Sequence, residues 1–288
     1  MENCDCIAFL QWALPQRDLR WHGFRKVRHQ VCKRLKRRVR ELGLDNLAAY
    51  RRRLEADSSE WRAFEECCHV TISRFYRDRG VFEVLRQRVL PDIATRAIRQ
   101  KRAAHIWSAG CASGEEPYAL KIIWDREVAR SAPGAPVSIV ATDIDEAVLA
   151  RARRGCFEPT SLRELPLNFL EEAFDRVGSL YCIKPQHREG IEFLHQDLRS
   201  EAPTLLFDLI LCRNVAFTYF AEPLQQQLLM RIMDRLAPHG YFAIGRHEQL
   251  PSAEPALQSL DCAPQIFRQV GVAESSGAQA NSGSRARP

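Results

Sequence analysis

The chain has 288 residues, 45% of them hydrophobic and 27% charged, and a formal net charge of +6. That length is enough for one large or two modest domains, and the composition is that of a soluble globular protein. No apolar run approaches the roughly 20 residues of a membrane span, and the N-terminus lacks a basic-then-apolar signal, so a cytoplasmic protein without membrane insertion is expected.

Residues 1–20 are apolar and aromatic without a clear period. From Gly23 the pattern turns helical: Phe24, Val27, Val31, Leu35, Val39 and Leu42 form one apolar stripe, with Gly43 as its C-cap. Arg25, Lys26, Arg28, Lys33, Arg34, Lys36, Arg37, Arg38 and Arg40 cover the remaining faces and point to an acidic partner. A second helix begins near Asp45 with Leu47, Tyr50 and Leu54, and a third follows Asp57-Ser58-Ser59 with Trp61, Phe64 and Cys68. Residues 1–69 thus read as a small basic helical domain. Residues 70–102 read as a linker, irregular through Phe75-Tyr76-Arg77 and then helical from Val81. The ten cysteines are scattered, without a zinc-like pair of CxxC motifs, so most are expected to be small buried hydrophobes and no metal is expected.

Residues 103–272 alternate between strand and helix. Ala104-His105-Ile106-Trp107 reads as a buried strand, Ser108 to Gly114 as a small-residue turn, and Glu115-Glu116-Pro117 as the start of a helix. This is how an open α/β sheet receives a nucleotide-like ligand, Gly110 allowing close approach of the backbone. Glu115 and Glu116 make a pyrophosphate a poor guest and a cation a better one; the sulfonium and amino acid ends of S-adenosylmethionine (SAM) would fit. A second strand over 137–142 ends at Asp143, placed to accept ribose hydroxyls, while Asp145 suits the cap of the next helix.

An insertion at about 156–190 interrupts the alternation. It holds a helical piece over 167–177 and a run at 179–184 that could pair antiparallel with 191–194. The run at 191–194 leads to Asp197, positioned to accept an adenine amino group. Residues 207–212 form a further buried strand ending in Arg213-Asn214, polar groups at a ligand crevice. A helix over 223–236, a strand over 241–244 and a last antiparallel edge at 265–270 follow, and residues 273–288 read as a disordered tail.

Taken together, the basic helix, ISRFYRDRGVFEVL, WSAGCASGEEPYAL, ATDIDEAVLARARRG and DLILCRNVAFTYF resemble the CheR-type family, over about Val31 to Val270. These are SAM-dependent methyltransferases that esterify receptor glutamates in bacterial chemotaxis. The resemblance implies a Rossmann-like α/β sheet with helices on both faces, a preceding all-α domain and a small β insertion. Position by position, it implies cofactor contacts at Thr71, Ser73, Arg77, Glu116, Asp143, Asp197, Leu198, Arg213 and Asn214, and acceptor placement by Arg77 and Tyr219. Thr71 and Asp197 stand where the family usually has asparagine, and Thr218 takes the spacing of the family's tyrosine, with Tyr219 one residue later.

The implied reaction transfers a methyl group from SAM to glutamate carboxylates of an acidic protein such as a chemoreceptor cytoplasmic domain. Arg34, Arg37 and Arg38 are expected to meet that substrate, the enzyme to work as a monomer, and nucleic acid not to be a partner. Two rival readings are a SAM-dependent methyltransferase of a small molecule or RNA, and a non-catalytic SAM-sensing scaffold.

Overall fold

A computed structural model describes residues 3–270, so the tail expected at 273–288 lies outside the described residues. The N-terminal part is helical: α1 (Asn3–Ala13), a 3-10 turn at Leu14–Arg17, α2 (Trp21–Phe24), α3 (Arg28–Glu41), α4 (Leu47–Ala56) and α5 (Glu60–Cys68). Residues 1–20, read above as lacking a period, are thus mostly helix. Cys6, Phe9, Leu10 and Ala13 are buried at helical spacing, but Ile7, Ala8 and Trp12 on the other faces mask the stripe. The single stripe expected from Phe24 to Leu42 is broken, because the chain turns at Arg25–Val27 before α3 starts. The C-cap of α3 is Leu42 rather than the expected Gly43, which follows it in the left-handed conformation at φ +66°, and Asn46 caps α4 by accepting the Ala49 N–H at 2.9 Å. Phe9, Leu35, Tyr50 and Phe64 share one apolar cluster distinct from those of the sheet.

After α6 (Arg79–Val84) the helix opens into a π turn at Leu85–Val89 and resumes as α7 (Leu90–Arg99). The wide turn falls just before Pro91, which has no N–H to give to the ladder. The chain then runs through β1 (Ala104–Ala109), α8 (Glu115–Ile123), a second π turn, α9 (Ala129–Ser131), β2 (Val137–Asp143) and α10 (Glu146–Arg154). The insertion contributes β3 (Cys156–Phe157), α11 (Leu167–Ala173), β4 (Phe174–Val177) and β5 (Leu180–Ile183). Next come β6 (Ile191–His195), β7 (Phe207–Leu211), α12 (Ala216–Tyr219), α13 (Glu222–Met233), β8 (Leu236–Ala243), β9 (Leu257–Leu260) and β10 (Ala263–Gln269).

Seven strands form one sheet in the order β6-β2-β1-β7-β8-β10-β9. β1 pairs parallel on both sides, Ile106 lying opposite Ile139 of β2 and Leu209 of β7. Alternate residues face opposite ways. Ile106, Leu209 and Tyr241 pack with α7 and α8, whereas Trp107, Ile210 and Phe242 pack with α13. Helices therefore cover both faces of a Rossmann-like sheet, as expected.

Several local expectations are corrected. The run at 191–194 does not pair with 179–184; it joins β2 in parallel, from Ile139–Ile191 to Asp143–His195. β5 pairs instead with β3 and, through a two-residue turn carrying Gly178 at φ +62°, with β4. Strand formation from Phe174 ends the helix at Ala173 rather than at 177. β10 is not an edge strand, because β9, unread in the sequence, pairs outside it. The reading of the cysteines as mostly small hydrophobes fails at four positions. Cys6 and Cys32 form a disulfide where α1 meets α3, and the antiparallel register sets Cys156 opposite Cys182 in a second. Among the described residues, no helix is long and apolar enough to cross a membrane.

Asp208 on β7 is 1% exposed, yet it receives a fork from Arg102 at 2.6 and 2.7 Å and the His105 N–H at 3.0 Å. Burial alone would raise its pKa; the Arg102 fork and the His105 N–H override that and leave it lowered. Its stabilising contribution is therefore complete above the ordinary aspartate pKa and is lost as pH falls through the lowered one. Asp208→Ala is expected to cost about 3 kcal/mol, read by urea unfolding at neutral pH.

Candidate active site

From β1 the sheet grows to β2 and β6 on one side and to β7 and β8 on the other, so the carboxyl ends of β1 and β7 frame a crevice. The turn after β1 is held to β2 by the N–H groups of Gly110 and Cys111, which donate to the Thr142 carbonyl at 2.8 and 3.0 Å. Gly110 has φ +77°, and a Cβ there would lie 2.6 Å from the Val215 side chain, so the turn demands glycine on both counts. Gly114, at φ +93°, caps α8.

The cavity at this crevice is lined by Gly110, Ala112, Asp143, Ile144, Gln196, Asp197, Leu198, Val215, Tyr219 and Phe220 from the sheet side. Phe24, Glu65, His69 and Val70 close it from the helical side. Asp143 accepts the Ala112 N–H at 2.9 Å and the Asp145 N–H at 3.0 Å, and burial nevertheless raises its pKa. Asp145 caps α10 through the N–H groups of Ala147 and Val148. Burial likewise lowers the pKa of His69, which favours the neutral imidazole. Asp197 receives the Arg199 Nε at 3.0 and 2.9 Å, and Leu198 beside it is buried.

The other expected residues form a second cluster. Arg213 reaches Glu116 at 2.7 Å, the Arg77 carbonyl at 2.6 Å and Asp78 at 3.0 Å, while the Ser108 hydroxyl donates to Glu116 at 2.7 Å. Its guanidinium also lies over the Phe82 ring at 5.2 Å. Ser73 lies near Glu115, a buried acid whose pKa burial raises. Thr71 sits half-buried at the start of the same segment. Tyr76, Asp78 and Asn214 all adopt positive φ, between +57° and +62°, so the backbone is strained on both sides of Arg77 and beside Arg213.

Glu248 supports this cluster from below. Its buried carboxylate accepts the Asn214 N–H at 2.8 Å, the Gly245 N–H at 2.6 Å and the Thr218 hydroxyl at 2.6 Å. Thr218 is therefore turned toward Glu248, whereas Tyr219 lines the cavity and packs on Phe24 at 4.9 Å. The chain from Asp18 to Arg20 is stitched to this loop: Arg20 N–H donates to the Tyr219 carbonyl at 2.8 Å and Ala221 N–H to the Asp18 carbonyl at 2.7 Å. Burial raises the Tyr219 pKa, and the charge of Arg77 pulls against that rise.

Of the three α3 arginines expected to face a substrate, Arg34 and Arg37 line an open basic groove with Gln30, Lys33 and Arg40. Arg34 also binds the carbonyls of Cys67 and His69. Arg38 turns inward and forks onto Glu60 at 2.8 and 2.7 Å, which also accepts the Tyr50 hydroxyl at 2.8 Å. The Arg38 hydrogen bonds hold the Glu60 carboxyl below its usual range. Sequence reasoning did not single out Glu65, His69, Gln196, Arg199 or Glu248 as site residues. Arg199, two residues after Asp197, had a local signal; Glu65 and His69 had none.

The chain is similar to known proteins over most of its length. The chain matches the all-alpha domain of CheR methyltransferases over residues 26–67 and the CheR methyltransferase SAM-binding domain over residues 71–266. It is 32% identical over 244 residues to chemotaxis protein methyltransferase 1 of Pseudomonas aeruginosa, covering 82% of this chain and 88% of that protein. It is 31% identical over 235 residues to the chemotaxis protein methyltransferase of Escherichia coli, covering 79% and 78% respectively. A similarity of 29% over 239 residues links it to an uncharacterized 104.1 kDa protein of Rhodobacter capsulatus, of which this chain spans 25%.

Proposed function

This chain belongs to the CheR methyltransferase family, and from that premise we propose that it methylates glutamate side chains on an acidic protein such as a chemoreceptor cytoplasmic domain. The cavity suits the methyl donor, SAM. Gly110 and Ala112 leave room for close backbone approach, Asp143 stands at the tip of β2 to accept both ribose hydroxyls, and Leu198 and Phe220 offer apolar walls to a purine. A buried Oε1 of Gln196, without a hydrogen-bond partner among the described residues, adds an acceptor on the same wall. Thr71, Ser73, Glu116, Arg213 and Asn214 would hold the amino acid end.

When bound, SAM supplies a methyl group already activated by a sulfonium. A glutamate is ionised at neutral pH and is already a nucleophile, so the chain need not supply a general base. Its task is to align the carboxylate with the methyl group and to exclude water. The observation that carries this reading is the contrast between two arginines of the second cluster. Arg213 is committed to Glu116 and Asp78, whereas the half-exposed Arg77 guanidinium gives one hydrogen bond, to the Ile72 carbonyl at 2.9 Å, among the described residues. Arg77 can therefore take an incoming carboxylate, with Tyr219 beside it. The groove of Lys33, Arg34, Arg37 and Arg40 would draw in acidic flanks, chiefly raising the association rate.

The test incubates methyl-labelled SAM with the protein and acidic protein acceptors, then treats the labelled product with mild alkali. Volatile methanol is expected, as for a carboxyl ester. Alkali-stable label would overturn the glutamate assignment.

A further inference from the structure

Glu65, His69, Ile144, Asp197 and Arg199 line both the cofactor cavity and the open cleft on its outer side, and Glu65, Asp197 and Arg199 are the charged part of the partition between the two. Asp197 is bound on both oxygens by one arginine. Arg199 Nε lies 3.0 and 2.9 Å from its two oxygens and Nη2 lies 2.8 Å from the second, while the Arg199 N–H donates to Oδ1 at 2.9 Å. The remaining arm of the guanidinium, Nη1, reaches 2.6 Å to Glu65 on α5, whose other oxygen pairs with Arg17. The partition thus carries a chain of alternating charge, Arg17–Glu65–Arg199–Asp197, that starts on the helical side and ends in the cavity wall.

We propose that Glu65 and Arg199 are positioning residues for the cofactor, holding Asp197 in place from the helical part of the chain. A carboxylate in a cavity wall invites either a cation or a rotation toward water. Arg199 removes both tendencies, because its planar fork neutralises the charge and fixes the plane of the carboxylate. Glu65 in turn keeps Arg199 against the wall rather than across the opening. A neutral amide at position 197 would need no such counter-charge. Arg199 and Glu65 are therefore required because residue 197 is an acid.

The test is calorimetric titration of S-adenosylhomocysteine into the full chain, with urea unfolding of each variant as a control for folding. Arg199→Ala is expected to weaken binding about tenfold and Glu65→Gln about threefold, in the range of charge-assisted hydrogen bonds. The two act through one contact, so the double variant is expected to bind no more weakly than Arg199→Ala alone. Adding Asp197→Asn to Arg199→Ala is expected to restore affinity, which a merely structural role for Arg199 would not produce. Wild-type affinity in Arg199→Ala, additive losses in the double variant, or no rescue by Asp197→Asn would each overturn the proposal. Should Arg199→Ala fail to fold, Arg199→Lys, which keeps the charge but not the fork, is read in the same titration; wild-type affinity there would overturn it equally. No acceptor takes part in these measurements, so their failure leaves the glutamate assignment untouched.

Discussion

An Arg77→Ala protein is expected to lose methyl transfer by about 100-fold or more, with a much smaller change in affinity for S-adenosylhomocysteine. The expectation follows from the segment that carries Arg77. Tyr76 and Asp78 flank it in left-handed conformations, and Arg213 grips the Arg77 carbonyl at 2.6 Å, so the backbone is fixed while the side chain stays half-exposed near Tyr219 of the cavity wall. Removing the side chain takes away a carboxylate guide without emptying a core site. Arg77→Lys keeps the charge but not the planar fork and should recover part of the rate. Single-turnover assays at saturating SAM with an acidic acceptor measure the effect. Wild-type turnover by a folded Arg77→Ala protein would remove Arg77 from acceptor placement.

The second large effect is on the cofactor. Asp143→Ala is expected to weaken S-adenosylhomocysteine binding about 100-fold, since it would delete the proposed acceptor for two ribose hydroxyls and free the Ala112 N–H of the glycine turn. The same residue makes a pH prediction. Burial raises the Asp143 pKa above the ordinary 3.8, and an ionised carboxylate is the form able to accept from two hydroxyls. Affinity should therefore be full at neutral pH and should decline as pH falls through that raised value, earlier than for an ordinary aspartate. Isothermal titration of wild-type protein across the acidic range checks this. Affinity that stays flat until the ordinary aspartate pKa is passed would exclude an ionised Asp143 as the ribose acceptor.

The parts of this protein that could be read from sequence are those encoded by neighbours in the chain. Apolar runs near 104–107, 137–142 and 207–212 became β1, β2 and β7, and each runs into a residue of the crevice: Gly110 after β1, Asp143 at the tip of β2 and Arg213 after β7. Strand, small-residue turn and acid-rich helix start are local patterns, so the ends of the parallel strands located the site. Even the Glu116–Arg213 pair joins residues that the sequence had separately assigned to the same crevice.

Pairing was decided by the tertiary structure. Residues 191–195 carried a recognisable strand pattern, but only the open edge of β2 determined that they would lie parallel in the main sheet. Arg38 looked like any other cation on a basic helix until the packing of α5 brought Glu60 beneath it. Glu65 and Arg199 are 134 positions apart, and no local pattern connects them. By itself the sequence determined the class of fold, the crevice and a few of the residues lining it, among them Gly110, Asp143 and Asp197, because periodicity and turn chemistry act over a few residues. The charge partners, the disulfides, the place of β9 and the turning of Thr218 away from the cavity and Tyr219 toward it depended on distant segments meeting. A side chain's partner is chosen by whichever surface is packed against it, which the chain specifies only once folded.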